Sequence, residues 1–403
     1  MEQVLYELPE GWDYTDLASL CKFENGDRGK NYPSRDAFVE SGIPVINAGN
    51  LDGRKIIEVG LNYITRERYD ILGSGKLRKG DLLFCLRGSL GKCAIVSNLS
   101  EGAIASSLVI VRPTEALDPN YLLYYFNSSL CATFIERYNN GAAQPNLSAK
   151  SLSKFLIPLA SLKEQKRIVE KLDALLTRID TAIEHLQESI TLADSLYASE
   201  LASVFSLGQD KSPLKELNEV AEVARGKSKH RPRNDKSLFG GEYPFIQTGD
   251  VRNAQKYITT FSATYNEKGL QQSKLWPKGT ICLTIAANIG DVAILGMDAC
   301  FPDSVVGISS SELETDYLYY FLTTLQQQLD SKANAAAQKN INLKILSEIK
   351  IPVPTIDEQK NIVKQIKEID QLAVKLKAEI SEKITKMQQL KASILDSAFK
   401  GEL

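Results

Sequence analysis

QPNLSAKSLSKFLIPLASLKEQKRIV, Gln144 to Val169, returns 194 residues later as QKNINLKILSEIKIPVPTIDEQKNIV, Gln338 to Val363. Self-similarity at a fixed interval means that one structural unit has been built twice, so the fold must be read as a duplication. The 403 residues divide into two copies of one plan, a globular head followed by a long helix. Ser161-Leu162-Lys163-Glu164 and Thr355-Ile356-Asp357-Glu358 are S/T-x-x-E capping boxes, in which the hydroxyl and the carboxylate serve backbone N–H groups left open at a helix start. Proline marks the strand end before each box, at Pro158 and at Pro352 and Pro354.

Beyond the first box, apolar residues fall at Ile168, Leu172, Leu175, Ile179, Ala182 and Leu186, in alternating steps of four and three. That spacing is a heptad seam. The second copy repeats it at Ile362, Ile366, Ile369, Ala373, Leu376 and Ile380, and Ser189 and Lys383 interrupt both seams at the same place. Neither helix meets proline or glycine before Gly208 or Gly401, so each extends about 45 residues, or about 65 Å. A narrow stripe on so long a helix calls for a partner helix, and the other copy supplies it. Chain connectivity makes the pair antiparallel, an internal pseudo-two-fold with one head at each end.

The heads align through short apolar runs bounded by glycine and polar turns, the pattern of strands. Ile43-Pro44-Val45-Ile46 matches Tyr243-Pro244-Phe245-Ile246, Leu77 to Leu83 matches Leu275 to Ile281, and Gly91 to Ile95 matches Gly290 to Ile294. Tyr121 to Phe126 and Tyr317 to Phe321 open a helix in each head, and their aromatic spacing suits a buried face. The fold class is therefore α+β, with two similar mixed β-rich domains separated by a coiled coil of long antiparallel helices. Between the shared strands the loops differ, as expected of one scaffold carrying two recognition surfaces.

Composition narrows the chemistry. With 43% hydrophobic and 24% charged residues, the chain has material for cores. No run approaches 18 apolar residues, and the start lacks a basic segment followed by an apolar one, so a cytoplasmic location is expected. Six cysteines without a C-x-x-C pair read as buried reduced thiols, and two histidines leave little for a triad or a metal site. Gly88-Ser89-Leu90-Gly91-Lys92 has two residues between its glycines where a phosphate loop needs four, and Cys93 follows the lysine where Ser or Thr is required. It reads as a turn. No dinucleotide fingerprint or methyltransferase signature is present, and the chain is expected not to be a catalyst.

Basic residues gather just after the first strand of each head: Arg28, Lys30 and Arg35 in the first, with the amide of Asn31 among them, and Arg225, Lys227, Lys229, Arg231 and Arg233 in the second. Lys and Arg on glycine-containing loops suit phosphate contact, and arginine also reads guanine edges. The alternative for any such run is a solvated loop, but recurrence in both heads of a chain of net charge −2 favours nucleic acid. Asn50, Arg54 and Lys55 follow Gly49, and Arg252 and Asn253 follow Gly249, matched glycines from which side chains are expected to reach base edges. Gln144 and Gln338 stand at the recurring junction, where a structural bridge competes with DNA contact.

Two variable heads, each closed by Q-x-N-[LI]-x₄-L-x₅-P-[LV] running into an EQK-containing box and a heptad helix, resemble the specificity subunits of Type I restriction-modification enzymes along essentially the whole chain. The resemblance implies target recognition domains at 1–160 and 207–354 and conserved long helices at 161–206 and 355–403. Each head would read one half of an asymmetric split site in double-stranded DNA, with the helices as spacer. The resemblance also implies two methyltransferase subunits docked on the helices and restriction/translocase subunits joining that core. S-adenosylmethionine, ATP and Mg would then sit on the partners, with no cofactor or metal in this chain. Heads at the two ends of such a rod would meet half-sites about 10 base pairs apart. A coiled-coil scaffold without DNA readout is the competing class, and it leaves the paired basic loops unexplained.

Overall fold

In the computed structural model the described residues are 5–29, 32–33, 35–139, 145–209, 212–230, 232, 234–286, 289–325 and 343–403. They form two compact units, residues 1–186 with 381–403, and residues 187–380. Each unit thus joins one head to segments of both long helices.

In the first unit the apolar runs become an antiparallel sheet in the order Cys21–Asn25, Leu108–Pro113, Leu82–Cys85, Cys93–Ile95. A smaller sheet sets Ile43–Ile46 between antiparallel Asn62–Ile64 and parallel Ala103–Ile104. The second unit repeats the main sheet as Glu222–Arg225, Val305–Ser309, Ile281–Thr284, Val292–Leu295, with Tyr257–Ile258 added in parallel at the edge. Gly80 and Gly279 introduce the equivalent strands from the left-handed region, φ 89° and 87°, where a side chain would be strained. Their amides donate to Val96 and Leu295, each at 2.8 Å. A further strand pair ties the start of each head to its end, Asp13–Asp16 with Leu156–Leu159 and Leu214–Glu216 with Lys350–Pro352.

The aromatic helices are core, as their spacing implied. Tyr121 to Phe126 are all buried beneath the first sheet, and Tyr317 to Leu322 are all buried beneath the second. The cores also take in the long helices. Ile168, Val169, Leu172 and Leu176 from the first helix meet Leu395, Ala398 and Phe399 from the second in the first unit's core. In the second unit the contributors are Leu201 and Phe205 with Val363 and Ile366.

The long helices span Leu162–Gln209 and Ile356–Lys400. The first continues through Gly208 to Gln209, just beyond the expected stop, whereas Gly401 ends the second at φ 75°. There Gly401 N–H donates to Ala398 and Glu402 N–H to Ser397, the left-handed closure that satisfies terminal carbonyls. In the first unit Lys391 pairs with Asp180 at 2.6 Å, and Arg167 donates to the Leu403 carbonyl, so the two segments run antiparallel. In the second, Lys377 pairs with Asp194 at 2.7 Å.

The seam itself departs from the heptad reading. Leu175 and Leu376 are exposed, at 36% and 47%, while Leu176 is buried and the half-exposed Lys377 reaches across to the exposed Asp194. In the second helix Ile384, not the exposed Lys383, lies in the half-buried stripe, whereas Ser189 of the first helix is half-buried beside Ile190 and does stand in the stripe as a polar residue. The capping boxes also part company. Thr355 and Glu358 make the reciprocal pair, Thr355 N–H to the Glu358 carboxylate at 2.9 Å and Glu358 N–H to the Thr355 hydroxyl at 3.4 Å. At the first box Ser161 caps Glu164 N–H, but the Glu164 carboxylate turns to Arg167. Replacing Thr355 with alanine is expected to cost about 1 kcal/mol, measured as faster amide exchange over Asp357–Gln359 in the full chain.

Candidate nucleic-acid interface

Each basic loop is held by the same pair of segments in its own head. In the first, Asp27 accepts from Gly29 N–H at 2.7 Å and from Gly73 N–H at 2.8 Å. Those backbone donors, Gly29 before Gly73, hold its carboxyl below the usual carboxylate range. Arg28 stands exposed beside them and reaches the Ser106 carbonyl at 3.3 Å. In the second, Ser273 donates to the Lys227 carbonyl at 2.8 Å, and His230 N–H donates to the Gln272 side chain at 3.0 Å. His230 also meets Asp235 at 2.7 Å. The Asp235 carboxyl is pulled down to about 2, first by Ser237 N–H, then by the Ser237 hydroxyl and His230. Arg225, Lys227 and Lys229 are exposed along this anchored loop, so the charge is displayed on a positioned backbone.

Lys30, Asn31, Arg231, Arg233, Gln144 and Gln338 lie outside the described residues, and of Arg35 only the backbone is described, in a short 3₁₀ turn. Lys55, Arg252 and Asn253 are exposed. Two candidates have other employment. Asn50 is 4% exposed; its carbonyl oxygen accepts from Asn47 N–H and its amide donates to the Ile57 carbonyl. It caps the turn Ala48–Asn50, and Asp250 serves Gln247 N–H in the same way in the second head. Arg54 points into its own unit, donating to the Tyr124 hydroxyl and to Asp173 of the first long helix, each at 2.7 Å. Asn50 and Arg54 are framework residues, a correction to the base-reading role their loop suggested.

Gln165 and Gln359, of the EQK triplets, stand outside the candidates drawn from sequence and prove to be the brackets between head and helix. Both are fully buried. Gln165 accepts from Asp118 N–H and donates to the carbonyls of Ala116 and Ala160. Gln359 does the same with Glu314, Glu312 and Pro354. Their identical place in both copies was the signal. The six cysteines are buried free thiols, and burial pushes those of Cys21 and Cys93 up to about 12. Among the described residues no three His, Cys, Asp or Glu side chains gather to hold a metal, and no helix is long and apolar enough to cross a membrane.

Comparison with known proteins bears on these duplicated heads. A putative type I restriction enzyme MjaX specificity subunit from Methanocaldococcus jannaschii is 26% identical, over 95% of this chain and 92% of that one. The StySPI specificity subunit of Salmonella potsdam is 23% identical over 98% and 90%. Among solved structures, a chain from work on complex assembly and conformational transition of the type I R-M system covers 99% of this chain and 100% of its own at a TM-score of 0.77 and 22% identity. The HsdS subunit from Thermoanaerobacter tengcongensis covers 100% of both chains at 0.56 and 23%. These two establish likeness of fold. The family model for the Type I restriction modification DNA specificity domain matches twice, at residues 9–192 and 210–386, once for each copy of the repeat, and the chain belongs to that family.

Proposed function

We propose that this chain is the DNA-reading subunit of a Type I restriction-modification assembly, each head reading one half of an asymmetric, gapped site. The carrying observation is the pair of anchored basic loops, equivalent in position yet unlike in sequence, at Asp27–Gly29 and Lys227–His230. Phosphate contact by Arg28, Lys227 and Lys229 would seat each head, and the differing neighbours would read bases. Family membership supports this reading and lends nothing to a scaffold without DNA.

The long helices would set the spacing between half-sites and offer docking faces to two methyltransferase subunits. Leu192, Leu196, Leu372 and Leu390 are each more than half exposed on them, which suits burial by a partner. Methylation and cleavage, with S-adenosylmethionine, ATP and Mg, are assigned to the methyltransferase and restriction subunits, since this sequence carries no motif for them. The subunit would work in the cytoplasm, where the DNA is.

Base-resolution adenine methylomes of cells with and without the gene test the reading. Deletion is expected to abolish methylation at one asymmetric, gapped motif. If the chain reconstituted with its methyltransferase partners marks no such motif, the reading fails.

A further inference from the structure

Where each head meets its long helix, the two units use the same three positions with different charges. The first position is a cation at the end of a head loop. Arg54 and Lys256 are equivalent, because the Arg54 carbonyl accepts from Ile95 N–H at 3.1 Å and the Lys256 carbonyl from Ile294 N–H at 2.8 Å, and Ile95 matches Ile294 in the repeat. Each cation lies over the equivalent tyrosine, Arg54 at 5.2 Å from the Tyr124 ring and Lys256 at 4.6 Å from that of Tyr320. The aromatic helices are aligned by Tyr121 and Tyr317, whose hydroxyls donate to the carbonyls of Pro158 and Pro352 at 2.8 and 2.9 Å.

The second position is on the long helix, 194 residues apart in the repeat, and there the charge is reversed: Asp173 in the first unit, Lys367 in the second. The third is at the start of the aromatic helix, where Asn120 stands in the first head and Asp316 in the second. In the first unit, Asp173 holds Arg54 at 2.7 Å and takes the Tyr124 hydroxyl as well. In the second, Asp316 holds both Lys256, at 2.8 Å, and Lys367, at 2.5 Å. Burial alone would raise the Asp316 carboxyl, and the hydrogen bonds from the two lysines more than reverse it.

From this juxtaposition we infer that the three positions are an electrostatic address, matching each head to its own long helix and fixing how the head is seated there. The first head on the second helix would set Arg54 beside Lys367 with Asn120 in place of the carboxylate, Asp316, that joins the two cations in the native pairing. The second head on the first helix would set Asp316 and Asp173 in competition for Lys256. Either exchange strands a partly desolvated charge, which opposes the wrong pairing more strongly than the right pairing is favoured. The heads are therefore interchangeable in fold but not in seating, unless these positions travel with them.

The test converts the address of the first unit into that of the second within the full-length chain. Amide exchange is followed over the aromatic helix Pro119–Phe126 and over 170–176 of the long helix. Asp173→Lys is expected to accelerate opening by about fivefold, the size of a coupling between two partly exposed charges. Adding Asn120→Asp to it should bring the rate back to within about twofold of the original, and the contrast should shrink in about 1 M salt. Asn120→Asp alone, which adds an acid where one already serves Arg54, should not slow opening by as much. Asp173→Asn should fall well short of Asp173→Lys. Equal damage from Asp173→Asn and Asp173→Lys, or no restoration by Asn120→Asp, overturns the address and leaves an ordinary hydrogen bond.

Discussion

Truncating Phe399 to alanine is expected to remove about 3–5 kcal/mol from the first unit. The ring is fully buried and packs at 5.1 Å from the Tyr121 ring and 5.9 Å edge-on to that of Tyr125. Nothing adjacent can collapse into the void, because Ala398 is short and Leu395 is already buried against the same core. The loss should register as exchange of the amides in 394–400 and 121–126, since a chain of two units has no single unfolding free energy. Phe205 is the matching residue of the second unit, 5.3 Å from Tyr317 and 5.4 Å from Phe321. Phe205→Ala should loosen that unit by a similar amount and leave exchange over 121–126 unchanged. A cost below about 1 kcal/mol for Phe399→Ala would show that the helix end is not integral to the head's core.

The second large effect is expected at Gln165. Leucine matches its bulk but serves none of its three backbone partners, Asp118 N–H and the carbonyls of Ala116 and Ala160. Each buried group left unsatisfied costs about 1–3 kcal/mol, and partial access of water reduces the total to about 2–4 kcal/mol. Exchange at Asp118 N–H is the direct readout, because that proton loses its acceptor. Gln165→Glu separates hydrogen bonding from shape: it keeps an acceptor for Asp118 but turns a donor into a carboxylate facing two carbonyls, so it should be at least as damaging as Gln165→Leu. Unchanged exchange at Asp118 in either variant would refute the bracket.

Much of this architecture was legible because its signals are local or repeated. The strand ends at proline, the cap at Thr355, the stop at Gly401 and the aromatic helices each depend on residues within a few positions. The seam was less legible. Leu175 and Leu176 are adjacent, and apolarity alone does not choose between them. The choice is made by the head, which buries Gln165, Ile168, Leu172 and Leu176 and so widens the contact face beyond a two-position heptad stripe. Arg54 was misjudged for a related reason. Its partner Asp173 lies 119 positions away, and a cation beside a glycine turn looks the same in sequence whether it faces DNA or a carboxylate of its own chain. Asn50 shows the limit at short range, since a turn cap and a base-reading amide differ only in burial.

The composite first unit also has a consequence for the order of synthesis. Ser129 donates to Asp396 across 267 positions, and Leu395, Ala398 and Phe399 belong to the same core. At about 5–20 residues per second, that closing segment leaves the ribosome some tens of seconds after the head it completes. The second unit draws only on residues 187–380, so all its parts are made before the first unit's last helical turns exist. The head translated first is therefore finished last, and through that interval its aromatic face, Tyr121 and Tyr125, stands open to chaperones or to misassembly.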